Sequence, residues 1–279
     1  MAFKPTYATV HNEGCDIRYW SQGTGPLIIF IPPGGGAGAV YNNIIAYLAG
    51  TGSFTAATFD RRQNSASQVA ENKLLSPRQQ AADALAVVRA LGFDGAVVFG
   101  CSLGGVVALQ FALDHPAAVE HVVAHEAPTL TLLPDAAERY DAILRVHSAA
   151  RASGPAAAMA LFAGDFVGMD DPGLPRSYQP PPANWAQFLE FEFLVASTYV
   201  PNLWRLRRSG VSVGVLRGER SKDAFYARAA AAQQEILECP LAVVPGNHTA
   251  YDNETDRFAP ALVDFLRLLD ERKKSKAAA

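Results

Sequence analysis

Ten residues, 96–105 (AVVFGCSLGG), constrain the fold of this chain more than any other stretch. An apolar run of strand type stops at Gly100 and an apolar run of helix type starts at Leu103, so the chain must reverse within a few residues. So tight a bend presses the backbone at positions 100 and 104 against neighbouring chain, and glycine, which has no β-carbon, stands at both. Gly100-Cys101-Ser102-Leu103-Gly104 therefore matches G-x-S-x-G, a strand–turn–helix that lifts its serine to the carboxyl edge of a sheet. Ser102 stands there above a helix N-terminus, whose N–H groups can meet an oxyanion. It is the candidate nucleophile.

The rest of the chain alternates in the same way. Leu27–Ile31, 54–59, 96–99, 119–124, 211–216 and Leu241–Val244 read as strands. Helices are expected near 40–48, over 76–90 (Ser76-Pro77 supplies an N-cap and a first-turn proline), and over 103–113, 224–237 and 256–269. Such alternation implies an α/β protein with a mostly parallel sheet flanked by helices. The rhythm breaks over 129–210, far longer than an ordinary connection of roughly 2–6 residues. That interval has helical stretches of its own and a run of prolines, Pro180, Pro181 and Pro182, and reads as a cap or lid. The expected division is a core of 1–128 and 211–270, a cap of 129–210, and a charged, Ala-rich flexible tail, 271–279.

Composition narrows the function classes. Lys and Arg number 24 against 27 Asp and Glu, and no basic run precedes the tail, which argues against nucleic acid as a partner. No apolar stretch reaches membrane-spanning length, and the first residues lack the apolar core of a signal peptide. Cys15, Cys101 and Cys239, odd in number and far apart, suit a reducing cytosol, so a cytoplasmic protein is expected.

A serine nucleophile needs a base. Of six histidines, only His248 follows the last expected strand, where the chain order Ser…acid…His puts the base. The acid is open on spacing: Glu126 follows the strand 119–124 in His125-Glu126-Ala127-Pro128, while Glu219 and Asp223 follow the strand 211–216. His121 and His125 flank no metal site, because four residues of strand span roughly 13 Å, too far for one ion. Neither metal nor cofactor is expected.

Together these segments resemble the α/β-hydrolase superfamily over roughly residues 10–270, with the GCSLG turn, Pro245-Gly246-Asn247-His248, a Gly-rich loop after an early strand, and FDRRQNSAS (59–67) in place of D-R-x-G-x-G-x-S. Gln63 and Ser65 stand where that turn has glycine. Most members put the acid three residues after the glycine ending the penultimate strand, a slot that is Ser221 here. One branch, resembling the zearalenone-type lactone hydrolases, uses a glutamate just after the sixth strand and reads G-C-S-x-G, H-E-x-P and G-x-H. That resemblance implies Ser102, Glu126 and His248 as the triad; within this fold the interval 129–210 makes a helical cap inserted after strand 6. The resemblance implies an oxyanion hole from the N–H of Leu103 with that of Gly34 or Gly35; Pro33 has no N–H to give.

Gly34, Gly36 and Ala39 also satisfy G-x-G-x-x-[GA], with Asp60 placed 26 residues after Gly34, as in a dinucleotide site. Two prolines interrupt that pattern, and no lysine has a tyrosine four residues before it as a short-chain reductase would need, so Asp60 is expected to pin the following turn instead. In the cap, Trp185, Phe188 and Leu189 lead an apolar set suited to roofing a cleft, and Glu190 and Glu192 should be solvated or paired with arginine. The expected activity is hydrolysis of an ester or lactone of a mainly apolar small molecule through an acyl-enzyme. A ligand receptor on the same fold with slow turnover is the alternative, and carbon–carbon hydrolysis or perhydrolysis a further one.

Overall fold

A computed structural model describes residues 2–169 and 172–278. In chain order the core opens with strands β1 (Thr6–Asn12), β2 (Cys15–Gly23) and β3 (Leu27–Ile31), helix α1 (Asn42–Gly50), β4 (Thr55–Phe59) and the short β5 (Gln68–Val69). Helix α2 (Pro77–Ala90), β6 (Ala96–Cys101), α3 (Leu103–Asp114) and β7 (Val119–His125) follow. Next come α4 (Ala136–Ser153), α5 (Pro155–Ala163), α6 (Pro182–Gln187), a π-helical turn (Phe188–Glu192), α7 (Phe193–Thr198) and α8 (Leu203–Arg208). The chain closes with β8 (Val213–Gly218), α9 (Phe225–Leu237), β9 (Leu241–Val244), α10 (Ala250–Asn253) and α11 (Thr255–Ala278).

The strands form one sheet in the order β1-β2-β4-β3-β6-β7-β8-β9, with β5 paired to β2. β1, β2 and β4 pair antiparallel and the remaining ladder is parallel. Leu27–Ile31 is apolar at every position because the sheet is covered on both faces: Leu27, Ile29 and Ile31 enter one core cluster with α2, α3 and α9, and Ile28 and Phe30 enter the other with α1 and α11. The β1–β2 hairpin, absent from the strands read off the sequence, turns at Glu13 and Gly14, both with positive φ, as a two-residue turn of the primed kind requires. Ser76 Oγ accepts from Gln79 N at 3.1 Å, the cap expected for α2.

Two boundaries differ from expectation. Helix α8 lies within 129–210 but packs on α3 and α9, so it belongs with the core and the excursion ends before it. Residues 271–278 are not a frayed tail but continue α11; Ala279 lies outside the described residues. Nothing after Leu269 breaks a helix, and Ala, Glu, Lys and Arg are strong helix formers. Among the described residues no helix is long and apolar enough to cross a membrane, and all three cysteines are unpaired and buried.

Candidate active site

The serine turn owes its shape to its glycines. A β-carbon on Gly100 would lie 2.0 Å from Gly104 O, and one on Gly104 would lie 2.1 Å from Ile31 O. Ser102 itself has φ 55° and ψ −128°, a strained conformation for a residue with a β-carbon, costing of order 1–3 kcal/mol. Ser102 N donates to His125 O (3.0 Å) and Gly105 N to Ser102 O (2.9 Å), which locks the turn onto the end of β7.

His248 sits in the loop after β9, and its Nδ1 is 2.6 Å from Glu126 Oε2. Glu126 is fully buried, and its other oxygen accepts from Gly218 N at 2.8 Å. It too has a positive φ, 50°, held by Glu126 N donating to Leu216 O. The structure thus brings Glu126 to the imidazole and leaves the other candidates elsewhere. Glu219 binds Gly246 N and Arg257, and Asp223 is exposed. β7 is the sixth of the long strands, the two-residue β5 having shifted the count. Ser221, in the usual acid slot, is buried.

Burial disfavours the Glu126 carboxylate, but its hydrogen bond to His248 and the charge of His125 outweigh this and lower its pKa. His248 is opposed in the same way by burial, yet Cys101 and Glu126 push it up to about 10. Cys101 Sγ lies 3.9 Å from Nε2 and donates to His248 O at 3.3 Å. Burial favours its thiol, but the His248 and His125 rings prevail and bring it down to about 7. The Tyr226 ring, which no sequence signal singles out, packs against His248 at 4.3 Å between centroids.

Two chambers meet at Ser102 and His248. The larger, about 330 Å³, runs past Gly34, Trp185, Phe188 and Tyr178; the smaller, about 40 Å³, is walled by Leu103, Leu130, Ile143, Phe193 and Tyr226. Phe162, Phe166 and Phe188 line both. Trp185 and Phe188 are therefore at the cavity as expected. Leu189 is a correction: it is buried in the main core cluster and lines neither chamber. Among the described residues the N–H groups of Leu103, Gly34 and Gly35 have no protein acceptor, and Leu103 and Gly34 each wall a chamber that Ser102 shares, whereas Gly35 does not.

Asp60 takes the structural part expected of it, accepting from Gly38 N (3.0 Å) and Ala66 N (3.1 Å). Gln63 and Ser65 keep positive φ, 67° and 49°, where the related turn has glycines. Among the described residues no three His, Cys, Asp or Glu side chains group as a metal site would require. His121 instead bonds Ser212 and Asp270, at the other end of its strand from His125.

A family described as "alpha/beta hydrolase fold" matches residues 26–157, and the solved structure of ALR0039 from Nostoc sp PCC 7120 superposes with a TM-score of 0.72 at 19% identity, covering 94% of this chain and 98% of its own. The chain has the α/β-hydrolase fold. It is 26% identical to the uncharacterized hydrolase YraK of Bacillus subtilis (strain 168), over 95% of this chain and 97% of that protein. It is 29% identical to the zearalenone hydrolase of Bionectria ochroleuca over 123 residues, 43% of this chain and 46% of that one.

Proposed function

We propose that this α/β-hydrolase cleaves a carboxylic ester or lactone of a mainly apolar small molecule through an acyl-enzyme on Ser102. The observation that carries the reading is the 2.6 Å contact between His248 Nδ1 and the buried Glu126 carboxylate, made where His248 and Ser102 line the same apolar cavity. With Nδ1–H donating a hydrogen bond to Glu126, Nε2 is the basic nitrogen that takes the Ser102 proton as Oγ attacks the carbonyl. The N–H groups of Leu103 and Gly34 receive the oxyanion; in hydrolases of this kind the loss of one such donor costs about 2.7–4 kcal/mol. The imidazolium then protonates the departing alkoxide, and the neutral ring activates water against the acyl-enzyme. Glu126 keeps the tautomer and balances the imidazolium throughout.

The apolar walls of the larger chamber suit a substrate of moderate size, and the zearalenone hydrolase among the relatives supports lactones as well as open esters. A serine nucleophile suits acyl transfer better than epoxide or haloalkane chemistry, which starts from a carboxylate. The test is hydrolysis of a panel of p-nitrophenyl esters and apolar lactones. Hundreds of turnovers per molecule, lost in Ser102→Ala, are expected. Release of one equivalent or less, accompanied by a rise in melting temperature with ligand, would make the protein a receptor.

A further inference from the structure

Of two buried polar side chains of the cap, one ends on the loop that carries the Gly34 N–H and the other on an arginine that holds that loop. Glu192, the last residue of the π-helical turn, pairs with the Arg61 guanidinium at 2.7 Å, with side chains 2% and 0% exposed, and its other oxygen accepts from Asn64 Nδ2 at 3.1 Å. Arg61 in turn donates through Nη2 to Pro33 O at 2.9 Å and through its backbone N to Gly36 O at 2.8 Å, while Gln80 accepts from its other terminal nitrogen. Asn184, 3% exposed, donates to Gly35 O at 2.6 Å and to Ser65 Oγ at 2.8 Å, and accepts from Ser65 N at 3.2 Å.

These contacts decide where the N–H points. A trans peptide is planar, with its C=O and N–H directed oppositely, so fixing Pro33 O fixes the N–H of Gly34. The next-but-one peptide is braced in the same way, Gly35 O by Asn184 and Gly36 N by donation to Pro33 O at 3.1 Å. The glycines of the loop leave no slack beneath the cap. A β-carbon on Gly34 would lie 3.0 Å from the Phe188 ring, and one on Gly35 would lie 2.9 Å from Pro180. The core half of the hole, Leu103 N, lies on the serine turn; the other half lies on a loop held by Arg61, which the cap's Glu192 pairs, and by the cap's Asn184.

We propose that Glu192, acting through Arg61, and Asn184 are positioning residues that aim the Gly34 N–H, so that the oxyanion hole is complete only when the cap is seated. The proposal rests on the serine-hydrolase reading above. Seating the cap and completing the hole are then one event, and chemistry waits for closure over a substrate.

The test compares Glu192→Gln, Asn184→Ala and Leu189→Ala by melting temperature, by kcat and KM on one ester, and by affinity for an aryl trifluoromethyl ketone, which Ser102 converts to an oxyanionic adduct. Leu189, in the same turn, is buried in the main core cluster and lines neither chamber, so it reports loosened packing. Because the donor is misaimed and not deleted, kcat should fall about 10- to 100-fold in Glu192→Gln and Asn184→Ala, with KM nearly unchanged and ketone affinity falling by a like factor. Leu189→Ala should lower the melting temperature and leave kcat and ketone affinity near wild type. Should Glu192→Gln not fold, Asn184→Ala alone decides. Equal kcat and ketone affinity in Asn184→Ala and Leu189→Ala would overturn the proposal. Wild-type protein that neither hydrolyses the ester nor binds the ketone would overturn the serine-hydrolase reading beneath it.

Discussion

Ser102 and Glu126, at the edge of the sheet, are held by their own backbone: both have positive φ, and each donates its N–H to the end of a neighbouring strand. Asn184, in helix α6, and Glu192, at the end of the π-helical turn, lie across the cavity in the cap and are held by side-chain contacts reaching 119 to 149 residues along the chain. The first kind of positioning is local and leaves a trace in sequence, as glycines at fixed offsets and a proline closing a strand. The second is a pairing of distant residues, and any one partner read alone looks like a surface polar residue. The edge is built to hold one arrangement whatever the cap does. The cap side depends on two buried polar contacts, and breaking either leaves a charge or amide without its partner.

Gly104→Ala breaks the edge outright, since the added carbon has no room against Ile31 O. A loss of at least about 4 kcal/mol is expected, read as a collapsed urea midpoint or as insoluble protein. Glu126→Gln leaves the fold intact and removes the charge opposite the imidazolium; kcat should drop roughly 10²- to 10⁴-fold, against little change in Glu219→Gln or Asp223→Asn. An equal loss in Glu219→Gln would return the acid to the edge after β8.

Effects on the cap side are smaller and divide by residue. Leu189→Ala should cost about 2–4 kcal/mol of stability with substrate preference unchanged, because the side chain is buried away from the chambers. Trp185→Ala should do the reverse, leaving stability nearly intact and raising KM for bulky esters about 10-fold, as measured on an ester size series.

The smallest effects are in pH. Glu126 is lowered from 4.5, so its stabilisation is complete above that value and is lost as pH falls through the lowered one. His248 is raised from 6.5 to about 10, so its contribution is complete below 6.5 and is lost as pH rises through the raised value. Catalysis needs the neutral ring, and kcat/KM should therefore climb toward alkaline pH. Cys101→Ala removes one of the two groups that raise His248, and the acid limb should move to lower pH. A limb that stays in place would mean that Glu126 alone sets it.

The comparison also explains what the sequence disclosed. The parallel strands, the serine turn and His248 were legible because a two-sided sheet demands continuous apolar runs and a tight bend demands glycine. Glu126 needed the family resemblance, since an acid after either strand can reach Nδ1. Glu192 carried a usable sign: it stands with Glu190 in an otherwise apolar run, 188–194, where a charge must be paired if buried. Asn184 carried none, and neither did Tyr226, whose packing on His248 depends on how α9 meets the loop after β9. Residues 271–278 are charged and Ala-rich, which reads as a tail, yet the residues there are themselves helix formers and continue α11.

The central claim is an activated Ser102, and intact mass after incubation with a fluorophosphonate tests it most directly, using wild type, Ser102→Ala and Glu126→Gln. One adduct per wild-type chain is expected, none in Ser102→Ala, and slowed labelling in Glu126→Gln. No adduct on folded wild-type protein, or an adduct that persists in Ser102→Ala, would contradict it.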